Sequence, residues 1–174
     1  MRKLFFILLL SATGAHLRAD GSLEVGAFKF TPPSPWQVSK SPKPMSQGGF
    51  VLPGKEGVAE LEAAFYHFGP GQGGDIEGNI KRWQGMFQAD PAPKVAREET
   101  AFGDKKATLV VIAGTYKGSS FRPEPSPKPD HTLIAAILPS DRGDVFVRMV
   151  GPTASVTAAK EDFKKLLASG APAK

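Results

Sequence analysis

The chain contains no cysteine. That excludes a disulfide framework, a thiolate nucleophile, a thiolate metal centre and a lipid-bearing cysteine behind an export signal. Histidine is almost as scarce, with three residues (His16, His67 and His131) far apart along the chain. Such spacing makes no zinc motif, so neither a metal nor a cofactor is expected. No G-x-S-x-G elbow occurs and the acidic residues are dispersed, so neither a serine hydrolase turn nor an acid–base pair stands out. No catalytic residue is assigned. Long apolar runs are missing too: nothing approaches the roughly 20 residues that a membrane-crossing helix needs.

What is present begins with an export pattern. Arg2 and Lys3 precede an unbroken apolar run over residues 4–10, and small residues follow at 11–15. Basic, apolar, then small is the order of a cleaved signal peptide. Cleavage is expected after Ala15, with Thr13 three residues before the cut, or after Ala19. The reading is therefore residues 1–19 as signal, 20–169 as a single domain and 170–174 as a flexible tail, in a protein exported to the periplasm or secreted. The formal charge of +5 falls to +3 once Arg2 and Lys3 are removed. The remaining cations are scattered, with no basic stripe carrying stacking aromatics, so nucleic acid is not an expected partner.

The hydrophobic pattern predicts strands over residues 23–30, 36–38, 49–52, 58–68, 107–116, 133–138 and 145–150, with a polar extended segment at 95–102. Residues 61, 63, 65 and 67 share one side of their strand, and 62, 64 and 66 the other. Ile76, Ile80, Trp83 and Phe87 fall on one face of a helix predicted over 75–88. Val156, Phe163, Leu166 and Leu167 form the stripe of a second helix over 154–168. The alternate prolines of 121–130 read as an extended, polyproline-like excursion between two paired strands. Short connections predict a largely antiparallel sheet. Strands 107–116 and 133–138 are apolar on both faces and require cover on both.

The candidate site is the glycine-rich turn that joins strand 58–68 to the first helix. Gly69, Gly71 and Gly74 match G-x-G-x-x-G, with Gly73 a fourth glycine inside it, but the segment that follows is polar and no buried parallel strand comes next, so the dinucleotide reading fails on context. Two readings remain. In the first, four glycines supply a flexible turn. In the second, free amides at a helix N-terminus hold a carboxylate or phosphate, with Asn79 and Arg82 at the border of the helix stripe as further ligand contacts and Asp75 as the helix cap. His67 sits on the apolar face of its strand and reads as a core histidine.

Phe28-Lys29-Phe30, a proline-rich step and Trp36 resemble the opening of PsbP-like domains. That fold is shared by photosystem extrinsic subunits and by an import factor that binds a Ran-type GTPase. From Phe65 onward the chain is also similar to small exported bacterial proteins of unassigned function. Phe68-Gly-Pro-Gly-Gln-Gly-Gly74, Asn79, Arg82-Trp83, Gly114-Thr-Tyr116 and Gly151-Pro152 carry that likeness. The resemblance implies an α+β fold, a largely antiparallel β-sheet covered by helices in an α/β/α sandwich. Functionally the expectation is a non-enzymatic binding or accessory domain whose partner is a protein or a small anionic ligand held at the glycine turn. The alternative is a small hydrolase or small-ligand enzyme beside that turn, with His67 as base.

Overall fold

The structure is a computed structural model that describes residues 21–173 together with the backbone of His16–Leu17. The signal segment at residues 2–10 and both expected cut sites, after Ala15 and after Ala19, lie outside the described residues. The elements run β1 (His16–Leu17), β2 (Leu23–Val25), β3 (Phe28–Phe30), β4 (Gln37–Val38), β5 (Gly48–Leu52), β6 (Leu61–His67), α1 (Ile76–Gln84), β7 (Lys94–Phe102), β8 (Lys105–Ser119), β9 (Arg122–Leu138), β10 (Val145–Pro152), α2 (Thr153–Ala168) and β11 (Gly170–Pro172). No helix among the described residues is long and apolar enough to cross a membrane.

Two sheets organise the chain. The larger has seven strands in the order β4-β5-β6-β10-β9-β8-β7, and the smaller runs β1-β2-β3-β11. Every pairing between strands is antiparallel. The expected helix-covered α/β/α sandwich does not form. The protein is mostly β, with a second sheet where the sandwich would have only helix, so it is α+β in the broad sense alone. The reason is local. Residues 23–30 do not form one strand: Gly26, at a φ of 57°, turns the chain back, and β2 pairs with β3 from Val25 against Phe28 outward. Gly170–Pro172, expected as a tail, pairs with β3 on its other side.

The larger sheet buries a separate apolar cluster on each face. On one face Val145, Val147 and Met149 of β10 meet Val156, Ala159, Phe163, Leu166 and Leu167 of α2, with Leu23, Val25 and Phe30 of the small sheet beside them. On the other, Phe146 and the even-numbered residues Ala64 and Tyr66 of β6 meet Ile80 and Trp83 of α1. Period-two alternation along each strand divides the residues this way.

α1 is shorter than predicted. It begins at the cap Asp75 and closes at Gly85. Residues 86–88 then run alongside β8 as an extra edge: Lys117 N–H donates to Met86 O and Gln88 N–H to Thr115 O, each at 2.9 Å. Phe87 is still 1% exposed, but it is buried from a bridge to Tyr116 and not from the helix.

The proline stretch is also different from expectation. It is the first half of β9 and forms, with the end of β8, a hairpin arm whose tip lies between Ser119 and Arg122. β10 stops at His131 and β7 at Ala113. Beyond those positions the two strands of the arm pair with each other, through two register shifts.

Candidate functional site

The glycine turn is built as predicted, but for two different reasons. Gly69, Gly71 and Gly74 have φ of 89°, 69° and 75°, which side chains resist. Gly73 does not. A Cβ there would instead stand 2.5 Å from Phe146 Cζ, so its small size is what the turn needs. Asn79 is 2% exposed. Its Nδ2 donates to Gly73 O at 2.8 Å and to Asp75 O at 2.9 Å. The buried amide therefore ties the turn to the first turn of α1. Arg82 folds back as well: its Nη2 lies 3.5 Å from where a Gly74 Cβ would be. The structure thus brings Gly73, Gly74, Asn79 and Arg82 together, with Gly69 and Gly71 at the outer bend.

The electrostatics of this place are acidic. Gly71, Gly73 and Gly74 line a shallow hollow of about 460 Å³ with Asp75 on their own side and Asp141 and Asp144 opposite. Asp75 Oδ1 accepts from Gly78 N–H at 2.6 Å and so occupies the amide position that an incoming anion would use. Asp141 pairs with Lys105 at 3.2 Å, and Asp144 Oδ1 accepts from Ser140 N–H at 3.3 Å. Each carboxylate has a structural partner. No group of three or more His, Asp or Glu side chains among the described residues is placed to hold a metal ion.

His67 is not part of this hollow. It extends from the other face of β6, beside Gly26 of the small sheet, and its Nε2 lies 2.9 Å from Arg142 O. It is partly exposed and not enclosed by the core. A second hollow of about 440 Å³ lies over Phe28 and Phe102, rimmed by Lys105, Asp141 and Arg142. It too excludes His67, so His67 does not converge with a carboxylate at the glycine turn.

Sequence reasoning passed over two features. Phe121, at the tip of the arm, is 94% exposed; the prolines around it carry a signal for backbone shape and none for exposure of the aromatic. Arg148 stands on β10 between buried Val147 and Met149. A charge inside an apolar strand was the available signal. No protein-family model matches the chain, and no curated protein matches it in sequence.

Proposed function

We propose that the chain is an exported, non-enzymatic binding or accessory domain that holds a partner protein through the β8–β9 arm. The exposure of Phe121 carries this reading. A large aromatic that is 94% exposed gains about 1.5–3 kcal/mol when a partner buries it, and aromatic anchors of that kind dominate many protein contacts. The arm is suited to presenting it. Pro123, Pro125, Pro127 and Pro129 remove backbone donors and stiffen β9 past the end of β10, which discourages another strand from adding to that edge. Recognition then falls to side chains: Phe121 at the tip, with Lys117 and Arg122 exposed beside it.

The glycine turn is the weaker binding surface, because Asp75, Asp141 and Asp144 surround it and would oppose an anionic ligand. The test replaces Phe121 with a photo-crosslinking phenylalanine analogue and exposes the folded protein to the native envelope fraction. A discrete protein adduct is expected, absent after competition with unlabelled wild type and not competed by Phe121→Ser. Competition by Phe121→Ser equal to that of wild type would remove the arm from the binding surface. Transfer of the label to lipid alone would replace a protein partner with a membrane. Export is checked by the mass of the mature protein, which should begin near His16 or Asp20.

A further inference from the structure

Val147 and Met149 point toward α2, so alternation turns Arg148 to the α1 face with Phe146. There it is half-buried. Its cross-strand neighbours are Ala64 on β6 and Ala135 on β9. Both are small, so the guanidinium has room above the sheet. It lies 4.3 Å over the Tyr66 ring, and its Nη1 is 3.8 Å from Met86 Sδ. A ring face and a thioether are weak partners for a fork of five donors. Among the described residues Arg148 has no carboxylate partner. The contrast with α2 is plain: Lys160 and Lys164, which are also partly sheltered, each place Nζ 3.1 Å from the same Glu98 oxygen.

Two phenols stand by this arginine. Tyr66 lies under it. Tyr116, on β8, has its phenol pushed up by burial and then by Glu124, with Arg148 pulling it back and Tyr66 adding to the rise. Geometry ties the phenols to the arginine: the Tyr116 ring meets Phe87 at 5.5 Å, and Phe87 directly follows Met86, whose sulfur the guanidinium touches. Neither phenol hydroxyl makes a hydrogen bond to protein among the described residues. Around them are more rings: Phe68 is 6.5 Å from Tyr66, Phe87 is 5.5 Å from Tyr116, and His131 stacks 6.5 Å from Tyr116.

We propose that Arg148 and the hydroxyls of Tyr66 and Tyr116 form a receptor for a carboxylate carried on an aromatic or apolar body. A partly desolvated cation without an acid has lost water and gained little in return. A carboxylate fits its planar fork in bidentate fashion, and the phenols offer two further donors. With Glu124 already paired to Lys128 at 2.8 Å, Arg148 is left, among the described residues, as a single unpaired cation, which matches a monoanion better than a phosphate dianion. The ring-lined surroundings select the apolar body. This receptor stands on β6, β8 and β10 and does not require Phe121.

The test is titration of the folded full chain with benzoate, read from the side-chain N–H signals of Arg148 and the ring signals of Tyr66 and Tyr116. Benzamide serves as the neutral isostere. An acetylated, amidated peptide with one Glu beside a Phe asks whether the carboxylate can come from a protein. Saturable shifts at Arg148 are expected with benzoate, the peptide or both, and binding at least about tenfold weaker with benzamide. Benzoate alone assigns a small free acid; the peptide alone assigns an acidic side chain of a partner. Arg148→Met should abolish binding, Arg148→Lys should weaken it by losing the fork, and Phe121→Ser should leave it unchanged. Should Arg148→Met unfold the chain, Tyr116→Phe keeps the ring packed on Phe87 and should still weaken binding severalfold. No saturable shift with either acid, equal binding of benzamide, or full binding by the folded Arg148 and Tyr116 variants overturns the receptor.

Discussion

Gly73 lies so close to Phe146 that a Cβ on it would stand 2.5 Å from the ring's Cζ. The ring has nowhere to retreat, because Phe146 is 2% exposed within the cluster under α1. The turn before α1 is therefore locked to the larger sheet by a contact, and the helix start is placed with it.

Gly73→Ala should accordingly cost about 1–3 kcal/mol through overpacking. Gly71→Ala meets open space and should cost about 1–2 kcal/mol from its left-handed φ alone. Urea midpoints compare the two. Partial recovery of Gly73→Ala by a second change, Phe146→Leu, is the signature of a steric cause; a Gly73→Ala protein as stable as wild type would show that the turn floats free of Phe146.

Trp83 is 2% exposed and packs in the same cluster. Trp83→Ala should lower stability by about 3–5 kcal/mol. A loss under about 1 kcal/mol in denaturant melts would place the indole at the surface in solution.

Asn79 acts on the turn from within. Its two donated bonds, to Gly73 O and Asp75 O, join loop and helix, so Asn79→Ala should cost about 1–3 kcal/mol. Asp75→Ala should cost about 1 kcal/mol as a lost helix cap. Thermal melts measure both. An Asn79→Ala protein that keeps its melting temperature but loses a bound partner would make the residue a ligand contact instead.

β7 and α2 are joined by charge, and that junction should respond to pH. Hydrogen bonds from Lys164 and then Lys160 hold the Glu98 carboxyl below its ordinary 4.5. Its contribution is complete above that ordinary value and is lost as pH falls through the lowered folded value. The hydrogen bond that Lys164 donates to Glu98 raises Lys164 above 10.5, so that side of the pair is complete below 10.5 and fades as pH rises through the raised value. With side chains 29–41% exposed, the whole junction is worth under about 1 kcal/mol. Glu98→Gln should remove this part of the acid-limb pH dependence while leaving stability near pH 12 nearly unchanged. An acid limb identical in Glu98→Gln and wild type would rule the junction out.

Much of the architecture could be read from periodicity. The alternation in 61–67 put Leu61, Ala63 and Phe65 on one side of the strand and Ala64 and Tyr66 on the other, and the structure gives the first side to α2 and the second to α1. It did so because strand side chains have a period of two wherever a strand is buried. The second sheet was not legible. β2 and β3 are three residues each, and their only sequence mark is the broken phase at Gly26; β11 exists because Gly170–Pro172 finds β3 at a distance of 140 residues along the chain. Trp83 could be assigned to the core from its helix face, whereas the cover for Phe87 came from a bridge to Tyr116.

The candidate site divides in the same way. Sequence alone determined that a glycine turn opens α1, that Asp75 caps it and that Asn79 and Arg82 border it, because these are relations within a dozen residues. Tertiary structure decided the rest. It set Asp141 and Asp144 across from the turn, gave Gly73 its steric purpose, carried Phe121 out on an arm, and laid Arg148 over Tyr66 with no acid beside it among the described residues. Each of these depends on which strands become neighbours, and strand order comes from the joint burial of both faces of a sheet, which no local pattern specifies.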